Sequence, residues 1–212
     1  MTDADERIEG QVVEEELDPE RETRRRFALA QIRQYPDAAL KMPARPVGEF
    51  DEQLVKLVER MKQLMHDANG IGLAATQVGV LQRLFVFQPE DADAVAVVNP
   101  ELQDVSEETE VADEGCLSIQ GITVPVERSL SLTLVGKDEH GSDVRFELEG
   151  YEARCAQHET DHLDGVLFVD RLDPDARAAA LAALAEAEWS GEPAYLPSGE
   201  PVPAPVVKVS PH

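Results

Sequence analysis

The sequence predicts an α+β fold, with mixed or antiparallel β-sheets packed around a central helix that carries an HExxH pattern. Three observations predict it. An apolar series at helical spacing follows Asp51, four short runs rich in β-branched and aromatic residues come after it, and a second helical stretch bears His158 and His162 one turn apart.

Each element follows from local chemistry. Asp51 has the side chain to cap a helix whose apolar residues Leu54, Val55, Leu57, Val58, Met61, Leu64 and Met65 recur at helical spacing, and Asn69-Gly70 supplies its stop. Strands are expected at Leu84 to Phe87, Val95 to Val98, Leu130 to Val135 and Val144 to Leu148. The turn-rich Lys137-Asp138-Glu139-His140-Gly141 makes a hairpin of the last two. A helix from about Glu152 to Leu163 closes at Asp164-Gly165. Another, Pro174 to Trp189, opens on the cap Asp173 with proline at its first position.

The ends read differently. Residues 1–22 are acidic and poor in large apolar groups, so they bury too little surface to offset the entropy of ordering, and a flexible arm is expected. From Ser190 to His212, Pro193, Pro197, Pro201, Pro203, Pro205 and Pro211 remove backbone donors and favour an extended tail. The expected organisation is an arm at 1–22, a catalytic domain at 23–175, and a C-terminal helix with its tail at 176–212.

A chain of 212 residues accommodates one domain of ordinary size plus such extensions. Lys and Arg total 19 against 43 Asp and Glu, a formal net charge of -24, so the surface repels phosphate backbones and anionic headgroups. Sequence-specific nucleic-acid binding and a membrane partner are not expected, and Arg24 to Arg26 beside Glu20 and Glu22 read as a solvated helix face. The start lacks the basic and apolar run of a signal peptide, and no stretch reaches the roughly 18 to 20 apolar residues of a membrane helix. A cytoplasmic location is expected. There, Cys116 and Cys155 read as ligand, nucleophile or core filler before disulfide.

The chemistry concentrates in Gln157-His158-Glu159-Thr160-Asp161-His162. On a helix this spacing aims both imidazoles at one point, and Glu159 stands about 100° further round from His158, within reach of a water held there. A surface helix with two chance histidines is the competing reading. Against it, Cys155, His158, Glu159 and His162 share one face, and an inward face so charged needs a compensating ion. A mononuclear catalytic site takes three protein ligands and leaves one position to water. After Gly165 the chain offers acids such as Asp170, Asp173 and Asp175 but no histidine before His212, whereas Glu114-Gly115-Cys116-Leu117-Ser118 presents a thiol upstream. Cys116 is the preferred third ligand over its reading as a core residue, and Cys155 is assigned to the core.

Gly70-Ile71-Gly72-Leu73-Ala74-Ala75-Thr76-Gln77-Val78-Gly79 is the third feature. Small residues let backbone approach a ligand, and Gln77 offers an uncharged donor of the kind that stabilises an oxyanion. By itself the segment reads equally as a tight turn.

Together the three segments resemble the three motifs of bacterial peptide deformylases, in the same order and at similar separation. Tyr35-Pro36-Asp37, Val98-Asn99-Pro100 and His162-Leu163-Asp164-Gly165 extend the resemblance over about residues 25 to 175. One departure is Gln120, where the family often carries proline, and it is expected to loosen the loop beside the substrate.

The resemblance implies removal of the formyl group from the N-formylmethionine that begins newly made bacterial polypeptides. It implies Cys116, His158 and His162 as ligands to one ion per chain, Fe(II) in the cell, with Zn(II), Ni(II) or Co(II) acceptable in isolated protein. Glu159 is the general acid/base, and Gln77 with the Leu117 backbone N–H stabilises the oxyanion. Gly70, Ile71 and Gly72 on one side, with Ile119 and Gly121 on the other, bind the peptide backbone. A nascent substrate also implies work near the ribosomal exit tunnel, although the acidic arm is unsuited to contacting RNA. Two alternatives remain at this point: an HExxH peptidase of the zincin type, and an inactive relative acting as a peptide-binding module.

Overall fold

The computed structural model describes residues 18–190. Nearly all of the expected arm and the whole proline-rich run lie outside the described residues. The first element, helix α1 (Pro19–Leu29), starts inside the stretch expected to be flexible. Its cap Asp18 accepts the Glu20 N–H and proline fills the first position, a start signal independent of apolar content. Arg24 and Arg25 pair with Glu20 and Glu22 on its surface, the solvated face expected. Helix α2 (Glu52–Asp67) has Asp51 as its cap, bonded to the Gln53 and Leu54 N–H groups, and buries Leu54, Val58, Met61, Leu64 and Met65.

Seven strands follow: β1 (Gly72–Ala74), β2 (Leu84–Phe87), β3 (Val95–Gln103), β4 (Thr109–Cys116), β5 (Ile119–Ser129), β6 (Ser131–Lys137) and β7 (Asp143–Glu149). They form an antiparallel five-stranded sheet in the order β1-β2-β3-β6-β7 and a separate antiparallel pair, β4-β5. Helices α3 (Gly150–Leu163) and α4 (Pro174–Ser190) complete the described chain.

The departures from expectation have physical causes. β3 runs past Val98 to Gln103 because Asn99, at φ 52°, sits in a register shift that absorbs the Asn-Pro pair without ending the strand. β4 is largely exposed and acidic, so no apolar alternation announces it. β5 carries Gly121 and Pro125, which read as breakers; Pro125 lies opposite Asp113 in a two-stranded sheet, where every strand is an edge and a missing N–H is tolerated. Gly72 to Ala74, read as a turn or a ligand approach, is one of the two edge strands of the large sheet.

Helix α3 is central. It packs against β1, β2, β6 and β7 of the large sheet and against β5 of the small one. Ala153, Cys155, Ala156 and Leu163 share a core with Phe85, Phe87, Val97 and Leu134, which assigns Cys155 to packing as expected. Asp173 caps α4 through the Asp175 and Ala176 N–H groups. Ala180 and Leu184 pack with Ile122, Val124, Val126 and Phe168, so α4 belongs to the folded unit, and a boundary at 175 would cut the helix in its first turn.

Candidate metal centre

Three side chains from two elements meet at one buried point. Strand β4 ends at Cys116, and α3 contributes His158 and His162 from successive turns. One ligand atom from each lies within 4.8 Å of the other two. The Cys116 Sγ is 3.2 Å from His162 Nε2, and the two imidazole rings stand edge to face with centroids 4.9 Å apart. The third donor thus comes from upstream of the helix. Downstream, Asp170 is engaged by Lys41 and Arg177, and Asp173 is engaged as a helix cap.

Glu159 is buried at 4% exposure, and its Oε2 has no hydrogen-bond partner. Burial is the main cause that pushes its pKa up to about 7, opposed by the charge of His158 and reinforced by that of Glu114. Gly72 is the reason Glu159 fits, because a Cβ at that position would coincide with the Glu159 carboxylate and crowd the Cys155 sulfur. Cys155 also donates weakly to the Ile71 carbonyl at 3.8 Å. Burial pushes its thiol well above the ordinary range, which suits packing and not nucleophilic work.

Gln77 is buried and oriented at both ends. Its Oε1 accepts the Ala74 N–H at 2.8 Å, and its Nε2 faces Ser118 Oγ at 3.1 Å and Cys116 Sγ at 3.6 Å. The Leu117 side chain abuts Gly70, where a Cβ would come within 2.7 Å of it. The glycine segment and the Cys116 turn are therefore in contact. β1 is an edge of its sheet and Ile119 opens β5, so two strand ends flank the centre. Ile119 is buried opposite Cys116, while Gly121, at φ 84°, has open space where a side chain would stand.

Sequence reasoning passed over the supports of His158. Glu114 Oε1 lies 2.6 Å from His158 Nδ1, and the same carboxylate receives two bonds from Arg128, at 2.6 and 3.0 Å, and one from Arg154 at 3.2 Å. Burial alone would raise the pKa of Glu114, but the His158 and Arg128 contacts outweigh it and hold the carboxyl far below the usual range. Burial likewise opposes charge on His158, yet the hydrogen bonds to Cys116 and Glu114 raise its pKa well above normal. His162, without such a carboxylate, is held well below by burial and by His158. A signal for Glu114 was present: in an extended strand it shares a face with Cys116, two residues on. Arg154 and Asp161 likewise stand one turn either side of His158.

The donor set fits a metal. Sulfur and two imidazoles suit zinc, iron and related ions. Two buried atoms here, Glu159 Oε2 and His162 Nδ1, lack protein partners. A carboxylate ordering one ligand imidazole is the usual support of such centres.

A central helix with two imidazoles, a strand-end cysteine sulfur and an adjacent buried carboxylate is the composition of a mononuclear metal-dependent hydrolase. Comparison with known proteins is specific about which one. A model of the polypeptide deformylase family matches residues 29–178. The peptide deformylase of Acidothermus cellulolyticus is 48% identical over 168 residues, covering 78% of this chain and 91% of that relative. The crystal structure of a Legionella pneumophila peptide deformylase superposes with a TM-score of 0.71 at 38% identity, over 76% of this chain and 95% of that one. A Synechococcus elongatus deformylase solved in complex with actinonin gives 0.67 at 37% identity, over 76% and 87%. The chain belongs to the polypeptide deformylase family, enzymes that remove the formyl group from the amino terminus of newly synthesised polypeptides.

Proposed function

We propose that Cys116, His158 and His162 hold one divalent ion and that Glu159 moves the proton while the formyl group of an N-formylmethionyl peptide is hydrolysed. The observation that carries this reading is the buried Glu159 carboxylate, its Oε2 without a hydrogen-bond partner, beside the three converging ligand atoms. An ion bound there supplies Lewis-acid activation of water and of the formyl carbonyl.

The chain's own groups account for the rest. Glu159 takes a proton from the attacking water as its oxygen bonds to the formyl carbon. It then delivers that proton to the amine nitrogen as the C–N bond breaks, giving formate and a free amino terminus. A carboxyl with a pKa of about 7 is balanced for both halves of that transfer at neutral pH. Gln77 Nε2 and the Leu117 backbone N–H are assigned as donors to the negative oxygen that develops on the formyl group. Peptide backbone pairs with the edge at Gly70, Ile71 and Gly72 and with the chain at Ile119 to Gly121, a mode indifferent to side-chain identity and suited to substrates that vary after methionine.

Iron(II) is the proposed ion in the cytoplasm, with zinc, nickel or cobalt able to occupy the same donors after isolation. A substrate that is a newly made chain suits an enzyme acting near the ribosomal exit tunnel. Among the described residues no helix is long and apolar enough to cross a membrane.

The test is anaerobic hydrolysis of formyl-Met-Ala-Ser by Fe(II)-reconstituted protein, with formate recorded, beside Cys116→Ala. Formate from the unmodified chain alone is expected. None from fully metallated protein would overturn the reading.

A further inference from the structure

We infer that Gln34 and Gln120 form a positioning pair for the Cys116 sulfur, an inference that rests on Cys116 being a metal ligand. Neither side chain touches the ligand set. Gln120 Nε2 donates to Gln34 Oε1 at 2.9 Å, so Gln120, expected to loosen a loop, instead lies in β5 and tethers it. With its oxygen engaged, Gln34 turns its Nε2 to the Leu117 carbonyl at 3.0 Å and the Ile32 carbonyl at 3.2 Å. The amide has one workable orientation, because flipping it would set nitrogen against nitrogen and oxygen against two carbonyls.

The Leu117 carbonyl and the Ser118 N–H belong to one planar peptide unit. Fixing the oxygen on one side therefore fixes the direction of the N–H on the other, and that N–H points at Cys116 Sγ from 3.3 Å. The next carbonyl, that of Ser118, accepts the Tyr35 N–H at 2.8 Å, so the turn is held on both sides of its sulfur-facing donor. The same N-terminal segment reaches the other proposed oxyanion group, since the Arg33 N–H donates to the Gln77 carbonyl at 2.7 Å.

Two consequences follow for the sulfur. An N–H donor draws electron density from a ligating sulfur, lowering its readiness to be oxidised. A sulfur whose position is set before the ion arrives loses less freedom on binding it, the ordinary work of groups that orient metal ligands. A pair serving only to tie the N-terminal segment to β5 would stabilise the fold and leave the sulfur's electronic character unchanged.

The experiment uses the full chain loaded with Co(II), whose sulfur-to-cobalt charge-transfer absorption reports the thiolate directly, with Gln34→Met and Gln120→Met in parallel. Both should move that band to lower energy, and chelator-driven loss of cobalt should accelerate by about tenfold, the low end for groups supporting a ligand. The double variant should be no worse than Gln34→Met alone, because Gln120 acts through Gln34. Folded variants with an unshifted band and unchanged cobalt loss would overturn the pair while leaving Cys116 a ligand. No charge-transfer band in the unmodified cobalt protein would remove Cys116 as ligand and the pair with it. If Gln34→Met fails to fold, Gln120→Met, which keeps Gln34 but removes the bond that fixes its amide toward the Leu117 carbonyl, carries the same test.

Discussion

Helix α3 borders two polar neighbourhoods that differ in how completely they are paired. Around Arg154, His158 Nδ1 and Asp161 the charges interlock. Glu114 is bonded by Arg128, Arg154 and His158, while Asp161 is bonded by Arg128 and Arg171. One helical face away, Glu159 Oε2 and His162 Nδ1 have no protein partner. Both regions are buried, so burial does not separate them. An unpaired buried polar atom is costly, and it persists where the missing partner arrives as ion, water or substrate. The paired side builds the protein, and the unpaired side is left for chemistry.

The comparison can be broken by mutation, and the largest effect should come from the unpaired side. Glu159→Ala should lower turnover by about 100- to 10,000-fold while retaining metal, since it removes a proton carrier and no ligand. Formate release and metal analysis on one preparation check this, and undiminished turnover would end the role. On the paired side, Arg128→Met leaves Glu114 and Asp161 short of a buried counter-charge and should cost about 3–5 kcal/mol of stability. Urea unfolding measures it, and a loss below about 1 kcal/mol would show that the interlocked cluster is not structural.

Gln77→Met sharpens the contrast, because Gln77 belongs to both sides: its oxygen supports Ala74 and its nitrogen faces the centre. A fall of about 100- to 1000-fold in kcat, with a smaller change in KM, is expected from loss of an oxyanion donor. An unchanged kcat would confine Gln77 to support.

The smallest effect belongs to a pair outside both regions. Burial pushes the Asp170 pKa up, but the bonds from Lys41 and the Leu167 N–H outweigh it, with the charges of Lys41 and Arg177, and hold it below the ordinary value. A carboxylate depressed in the folded state contributes stability that is present above its unfolded pKa of about 3.9 and is lost as pH falls below that value. Because Lys41 and Arg177 are each nearly half exposed, Asp170→Asn should cost no more than about 1 kcal/mol at neutral pH, with the difference from the unmodified chain shrinking as pH falls through the lowered folded-state pKa. A larger gap in acid than at neutral pH would reverse the sign.

Local signals were read well where chemistry and periodicity coincide. Asp51 and Asp173 cap the helices they were expected to cap, Leu84 to Phe87 is β2 without adjustment, and His158 and His162 meet through helical spacing alone. Glu114 and Arg128 were missed for a different reason. Their partners are distant in sequence, Arg128 reaches Asp161 from another element, and β4 carries too little apolar pattern to be recognised as the strand that aims Glu114 inward. Gln120 was misread because a residue replacing an expected proline was judged by the backbone it would free and not by the Gln34 side chain it would meet.

By itself the sequence determined the candidate ligand types, the carboxylate beside them and the helix that sets the two imidazoles one turn apart, because an α-helix makes those distances a property of spacing. The tertiary structure alone decided that Cys116 arrives at the same point, that Gly72 leaves room for Glu159, and that Glu114 orders His158 while Glu159 Oε2 stays without a partner. The contacts of Cys116, Gly72 and Glu114 join β1, β4 and α3, and bringing such separated strands together is settled by the packing of two sheets on one helix, for which no local spacing is a proxy.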